Sequence, residues 1–103
     1  MLKSFSVSSR QRNELIDITP QVCRAVTDSG VSDAIAVIHI PHTTAGITIN
    51  ENADPDVRQD ITSFMQKLIP VNADFRHIEG NSDGHIKSSL FGCSLTPKLS
   101  DFY

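Results

Sequence analysis

The chain has no tryptophan, one tyrosine and two cysteines among its 103 residues. Cys23 and Cys93 lie far apart in dissimilar contexts, which excludes a disulfide framework and a CxxC site. Two buried or half-buried thiols in a reducing compartment are expected instead. No cluster of Lys or Arg is present and the formal net charge is −3. Without a basic footprint, no nucleic-acid partner is expected. No apolar run is long enough to span a bilayer, and the opening "MLKSFSVSSR" lacks the apolar core of a signal peptide. No membrane association and a cytoplasmic location are therefore expected. There is no internal repeat and no low-complexity linker, so residues 1–103 are expected to form a single domain.

What is present is a chain with 39% hydrophobic and 20% charged residues, a balance suited to a globular fold. "LKSFSVSS" alternates weakly, and "NELIDIT" carries Leu15 and Ile18. The two are expected to pair as a hairpin, residues 2–9 with 13–18, across "RQRN". "TPQVCRAVTDSG" predicts a short helix with Thr19 as N-cap, Pro20 in the first turn and Gly30 as the closing residue. Val22, Ala25 and Val26 share one of its faces. Residues 34–40 are nearly all apolar and suit a central strand buried on both faces, with His39 a satisfied core or interface residue. "TAGITIN" reads as a further strand with Ile47 and Ile49 on one face.

A second helix is expected from the Asp54 cap and Pro55, with Asp56 at the positive end of its dipole. Val57, Ile61, Phe64, Met65 and Leu68 form an apolar stripe expected to pack on the sheet, and Pro70 ends the helix. "GHIKSSLFG" predicts a third helix, capped by Asp83 and stopped by Gly92. The order implies an α+β fold with a mainly antiparallel sheet packed with two or three helices.

Two polar clusters carry the candidate chemistry. The first, "PHTTAGITINEN", offers His42, Thr44, Asn50 and Glu51 at the ends of a strand that enters a helix. The second, "RHIEGNSDGHIKSS", offers His77, Glu79, Asn81, Asp83, Gly84, His85, Lys87 and Ser88. Seven residues lie between His77 and His85, which is not the spacing of a helical zinc pair. A metal site therefore needs the loop to fold back, or His42 to complete a set with His77 and His85. Three imidazoles and an open fourth position suit catalytic zinc. The other physical option is an anion site. With Asp83 as cap, the N–H groups of Gly84, His85 and Ile86 would face an incoming phosphate, supported by Arg76, Lys87 and Ser88. Glu79 and Asp83 fit better as groups that orient histidines or act as acid or base.

Together, "HTTAGITINENADPDVRQD" and "FRHIEGNSDGHIKSSLFG" closely resemble the YjbQ-like family, credited with weak secondary thiamine-phosphate synthase activity. The resemblance covers about Phe5 to Ser94. It implies a YjbQ-like α+β fold, a homotrimer, and a pocket for a small phosphorylated molecule. The implied reaction joins a hydroxymethylpyrimidine diphosphate to a thiazole phosphate with loss of pyrophosphate, aided by a divalent cation, Zn²⁺ or Mg²⁺. Carried onto this chain, the catalytic groups are Glu51, His77, Glu79 and His85. Substrate and phosphate fall to Thr44, Asn50, Asn81, Asp83, Gly84, Lys87 and Ser88, and metal to His42, His77 and His85. The alternatives are a non-catalytic small-molecule or metal-binding protein, and a defective truncated member of the family. The final "PKLSDFY" departs from the family pattern, which continues through further strands, so the C-terminal strands are expected to be missing and a sheet edge exposed.

Overall fold

The structure, a computed structural model, describes residues 2–102. Its elements are helix α1 (Thr19–Ser29), strand β1 (Ile38–His39), helix α2 (Pro55–Leu68), helix α3 (Ser82–Phe91), strand β2 (Ser94–Leu95) and a 3₁₀ turn at Leu99–Phe102. Three helices and a small antiparallel sheet make the fold α+β. None of these helices is long and apolar enough to cross a membrane. The chain divides into two compact units, Met1–Val37 with Thr96–Tyr103, and Ile38–Leu95.

In the first unit α1 forms where expected, with its N-terminal boundary one residue earlier. Ile18 holds the cap position, and the Asp17 carboxylate accepts from the Thr19 N–H at 2.9 Å. Thr19 is already helical, so its hydroxyl is past the place where a cap is needed. Gly30 closes the helix in the left-handed conformation. Val22 and Val26 are buried, α1 packs against the 3₁₀ turn, and Leu99 in that turn is buried too.

The expected hairpin does not form. Residues 2–9 and 13–18 join no ladder, although the chain does turn between them, where the Glu14 carboxylate accepts from the N–H groups of Arg10 and Gln11. Alternation reports which faces a strand would have; only a partner edge supplies its hydrogen bonds. The tail also departs from expectation. Ala36 N–H donates to Pro97 O and Leu99 N–H donates to Ala34 O, both at 3.0 Å, and Ile35 faces Lys98 in an antiparallel bridge. "PKL" is therefore paired structure and not an aperiodic end. Ile35 and Val37 stay 66% and 71% exposed, so this segment is covered on one face, not two.

In the second unit β1 pairs with β2 in the register Ile38 to Leu95 and His39 to Ser94. His39 is exposed in the single chain, which removes the core half of its core-or-interface assignment. Cys93 is exposed as well, and Cys23, in the first unit, is half-buried. α2 starts as its sequence dictates, the Asp54 carboxylate accepting from the Asp56 N–H at 2.9 Å. Its stripe behaves differently: no residue of α2 is buried, and Phe64 and Leu68 are 63% and 56% exposed. An amphipathic period states which side can be buried, not that a neighbour arrives. Residues 44–50 join no strand ladder. Ile47 is buried while Ile49 is exposed.

Candidate functional site

The second polar cluster turns before it becomes helical. Ile78 and Glu79 form a turn followed by Gly80, whose φ of 76° is open to glycine at little cost. α3 then begins at Ser82, with Asn81 in the cap position. The expectation that Asp83 caps the helix is thus corrected by two positions. The consequence reaches the anion site. Gly84 N–H and His85 N–H both donate to Asn81 O, at 3.0 and 3.3 Å, so these donors are not open to a ligand. Asp83 lies inside the first turn, 3% exposed, with its carboxylate 3.4 Å from the Lys87 ammonium. A carboxylate there already supplies the negative charge that a helix start favours.

The turn folds His77 back onto α3. The rings of His77 and His85 meet edge to face, with centroids 5.6 Å apart and planes at 87°. Glu79 Oε2 stands 3.6 Å from His77 Nε2, close enough for charge attraction and too long for a good hydrogen bond. His77 and Glu79 are open to water, their side chains 42% and 70% exposed, while His85 is half-buried. Two imidazoles and a carboxylate therefore gather beside the first turns of α3, with the Asp83–Lys87 pair on another side of the helix. Asn81 Oδ1 at the same helix start is buried and accepts no hydrogen bond. A buried acceptor left without a donor is costly, and a ligand N–H or O–H would relieve it.

The first cluster divides. Thr44 reaches α3: a Cβ built on Gly84 would lie 3.4 Å from Thr44 Cβ and 3.5 Å from Thr44 Cγ2. Asn50 Oδ1 accepts from the Glu51 N–H at 2.7 Å, a local turn bond. Asn50, Glu51 and His42 are exposed, and no hydrogen bond or ion pair joins them to the histidine pair among the described residues. Nor, among the described residues, do any three His, Cys, Asp or Glu side chains group closely enough to hold a metal ion. His42 does not complete a set with His77 and His85, and a three-histidine zinc site does not fit this arrangement. The reason is geometric: His77 and His85 are brought together by a local turn, whereas His42 comes from another loop and, among the described residues, makes no hydrogen bond, ion pair or ring contact.

Ser88 also changes role. Its side chain is buried, and its hydroxyl donates to Ala45 O at 2.6 Å. A hydroxyl has one proton to donate, so Ser88 is not a phosphate donor while this bond persists. Ala45 and Gly46 were not singled out from the sequence, yet they contact α3 directly. The available signal was small residues facing one another in "TTAG" and "GHIKSS", which allow close approach of backbones.

Gly84 offers a test of what meets this face. It lies within α3 with ordinary contact distances around a built Cβ. Gly84→Ala is expected to raise stability by about 0.5–1 kcal/mol through the chain entropy it removes. A thermal melt reads this change directly. A fall in Tm would contradict the packing described.

Comparison with known proteins follows this geometry closely. A family model described as "UPF0047 protein YjbQ-like" matches residues 3–101. The chain is 57% identical over 101 residues to the UPF0047 protein MJ1081 of Methanocaldococcus jannaschii, a match covering 98% of this chain and 73% of that one. It is 45% identical over 95 residues to the UPF0047 protein YugU of Bacillus subtilis, covering 91% and 72%. A crystal structure of an uncharacterized conserved protein of the YjbQ/UPF0047 family from Clostridium acetobutylicum superposes with a TM-score of 0.90 at 49% identity, covering 96% of this chain and 77% of that one. A YbjQ-like protein of unknown function from Sulfolobus solfataricus superposes with a TM-score of 0.85 at 28% identity, covering 93% and 70%.

Proposed function

The chain belongs to the UPF0047 YjbQ-like family, and from that premise we propose that it is a thiamine-phosphate synthase-like transferase acting on small phosphorylated molecules. The observation that carries the reading is the edge-to-face pair of His77 and His85, with Glu79 beside it. In the reaction, a carbon–nitrogen bond forms to the thiazole ring as the carbon–oxygen bond to the diphosphate breaks. The electron pair leaves with pyrophosphate. That leaving group needs hydrogen-bond donors and positive charge as it departs, and imidazolium and ammonium groups supply both. His77 and His85 donate to the departing oxygens, the Glu79 carboxylate stands beside His77, and Lys87, on another flank of α3, adds positive charge. The buried Asn81 Oδ1 accepts from a donor on the bound ring.

A divalent cation enters this reading with the diphosphate. Mg²⁺ is commonly held by one or two carboxylates, the rest of its shell being phosphate and water, and Glu79 is an exposed carboxylate beside the site. Assembly as a homotrimer belongs to the same proposal. The exposed Phe64 and Leu68 of α2 are the kind of apolar surface that association covers.

A second reading, binding without turnover, is favoured by the exposure of His77 and Glu79, since an open site does not exclude water from the reacting groups. Incubating the wild-type chain with the pyrimidine diphosphate, the thiazole phosphate and Mg²⁺ separates the two, with sedimentation equilibrium on the same preparation. Thiamine phosphate and stoichiometric pyrophosphate are expected. Saturable pyrophosphate binding with no product would replace the transferase by the binding protein.

A further inference from the structure

The segment Thr44–Ile47 lies along α3 in a single register. Thr44 meets Gly84, Ala45 O accepts from Ser88 Oγ at 2.6 Å, and Ile47 N–H donates to Gly92 O at 3.0 Å. Gly46 sits between them, where a Cβ would fall 2.9 Å from Phe91 Cβ and 3.1 Å from Gly92 O. Positions 84, 88 and 91 share one helix face. Residues 44, 45 and 46–47 meet residues 84, 88 and 91–92 in turn, so the two segments run side by side. At 100° per residue, His85 and Lys87 flank this seam at roughly 100° and 60° from Gly84. The seam thus passes between the histidine pair and the Asp83–Lys87 pair.

We propose that Ser88 and Gly46 are positioning residues that set the register of the Thr44 loop against α3, and so place Thr44 between the two flanks of the site. The inference rests on reading the His77–Glu79–His85 cluster as that site. Ser88 selects the register through its bond to Ala45. Gly46 rejects the alternatives, because a slip of one residue would bring Ala45 or Ile47, each with a Cβ, against Phe91. Neither residue touches the reacting atoms.

The test compares the wild type with Ser88→Ala and Ser88→Thr, using amide chemical shifts, pyrophosphate titration and steady-state kinetics. Ser88→Ala, folded by circular dichroism, is expected to move the Thr44, Ala45 and Gly46 amide resonances. It should lower kcat about tenfold or more, since small misplacements carry large kinetic costs, with KM for the diphosphate within about twofold. Ser88→Thr, which keeps the hydroxyl, restores both the shifts and kcat. Unmoved Thr44–Gly46 amides in Ser88→Ala, or no recovery with Thr, would overturn the assignment. If the wild type shows no turnover, the transferase reading fails by itself, and the amide shifts still decide the register.

Discussion

If the proposed transferase reading holds, His85→Ala is expected to lower thiamine-phosphate formation by about 10²–10⁴-fold, the range for removing a positioned proton donor from a transition state. The case for His85 rests on its seat. It is half-buried on the first turns of α3 and held edge to face by His77, so it is the better ordered of the two rings. His77 is more exposed and depends on the 78–80 turn. His77→Ala is therefore expected to cost less than His85→Ala. The double variant should cost less than the sum of the two, since groups that act as a unit are non-additive. Neither change removes a buried apolar side chain, so Tm should remain within about 2–4 °C of wild type, the shift that about 0.5 kcal/mol produces at this size. Coupled detection of pyrophosphate release, with thermal melts on the same samples, reads both. Wild-type rates in both single variants would remove the histidine pair from the chemistry.

Gly46→Ala is expected to destabilise the fold by about 1–3 kcal/mol, the cost of forcing extra volume into a packed contact. The added methyl would meet Phe91 Cβ at 2.9 Å and Gly92 O at 3.1 Å. Both atoms are anchored to the backbone of α3 or its end, so neither can swing aside as the tip of a long side chain would. The loop must lift, and lifting it stretches the Ser88–Ala45 and Ile47–Gly92 hydrogen bonds together. For a domain of roughly 100 residues, each 1 kcal/mol lowers Tm by about 4–8 °C. Calorimetry measures this directly, and an unchanged Tm would mean that the close approach at Gly46 is not maintained. The contrast with Gly84→Ala is the sharper control, because the two glycines face the same seam and are expected to respond with opposite signs.

Helices were legible because their signals are local. Asp54 and Pro55 start α2 through a cap and a fixed φ, and Gly30 and Gly92 close α1 and α3. These features act within four residues of themselves and need no partner. The strands were not legible in the same way. Residues 2–9 have strand-like alternation and no ladder, while "PKL" has none and pairs with residues 34–36. The reason is that half of a strand's definition is the neighbouring edge.

The candidate site divides along the same line. The sequence by itself placed His77, Glu79, Asp83, His85 and Lys87 in one short run and set Asp83 and Lys87 at the i,i+4 spacing of a helical pair, while the fold-back that joins His77 to His85 came from the structure. The two motifs also carried the resemblance to the YjbQ-like family that the comparisons established. Only the tertiary structure decided which residue caps α3, that Ser88 is committed to Ala45, and that His42 forms no metal-holding group with the other two histidines among the described residues. The Ser88–Ala45 bond spans 43 positions of chain. No local propensity encodes such a contact, since its partner is selected by the packing of a loop on a helix, and that packing exists only once both have folded.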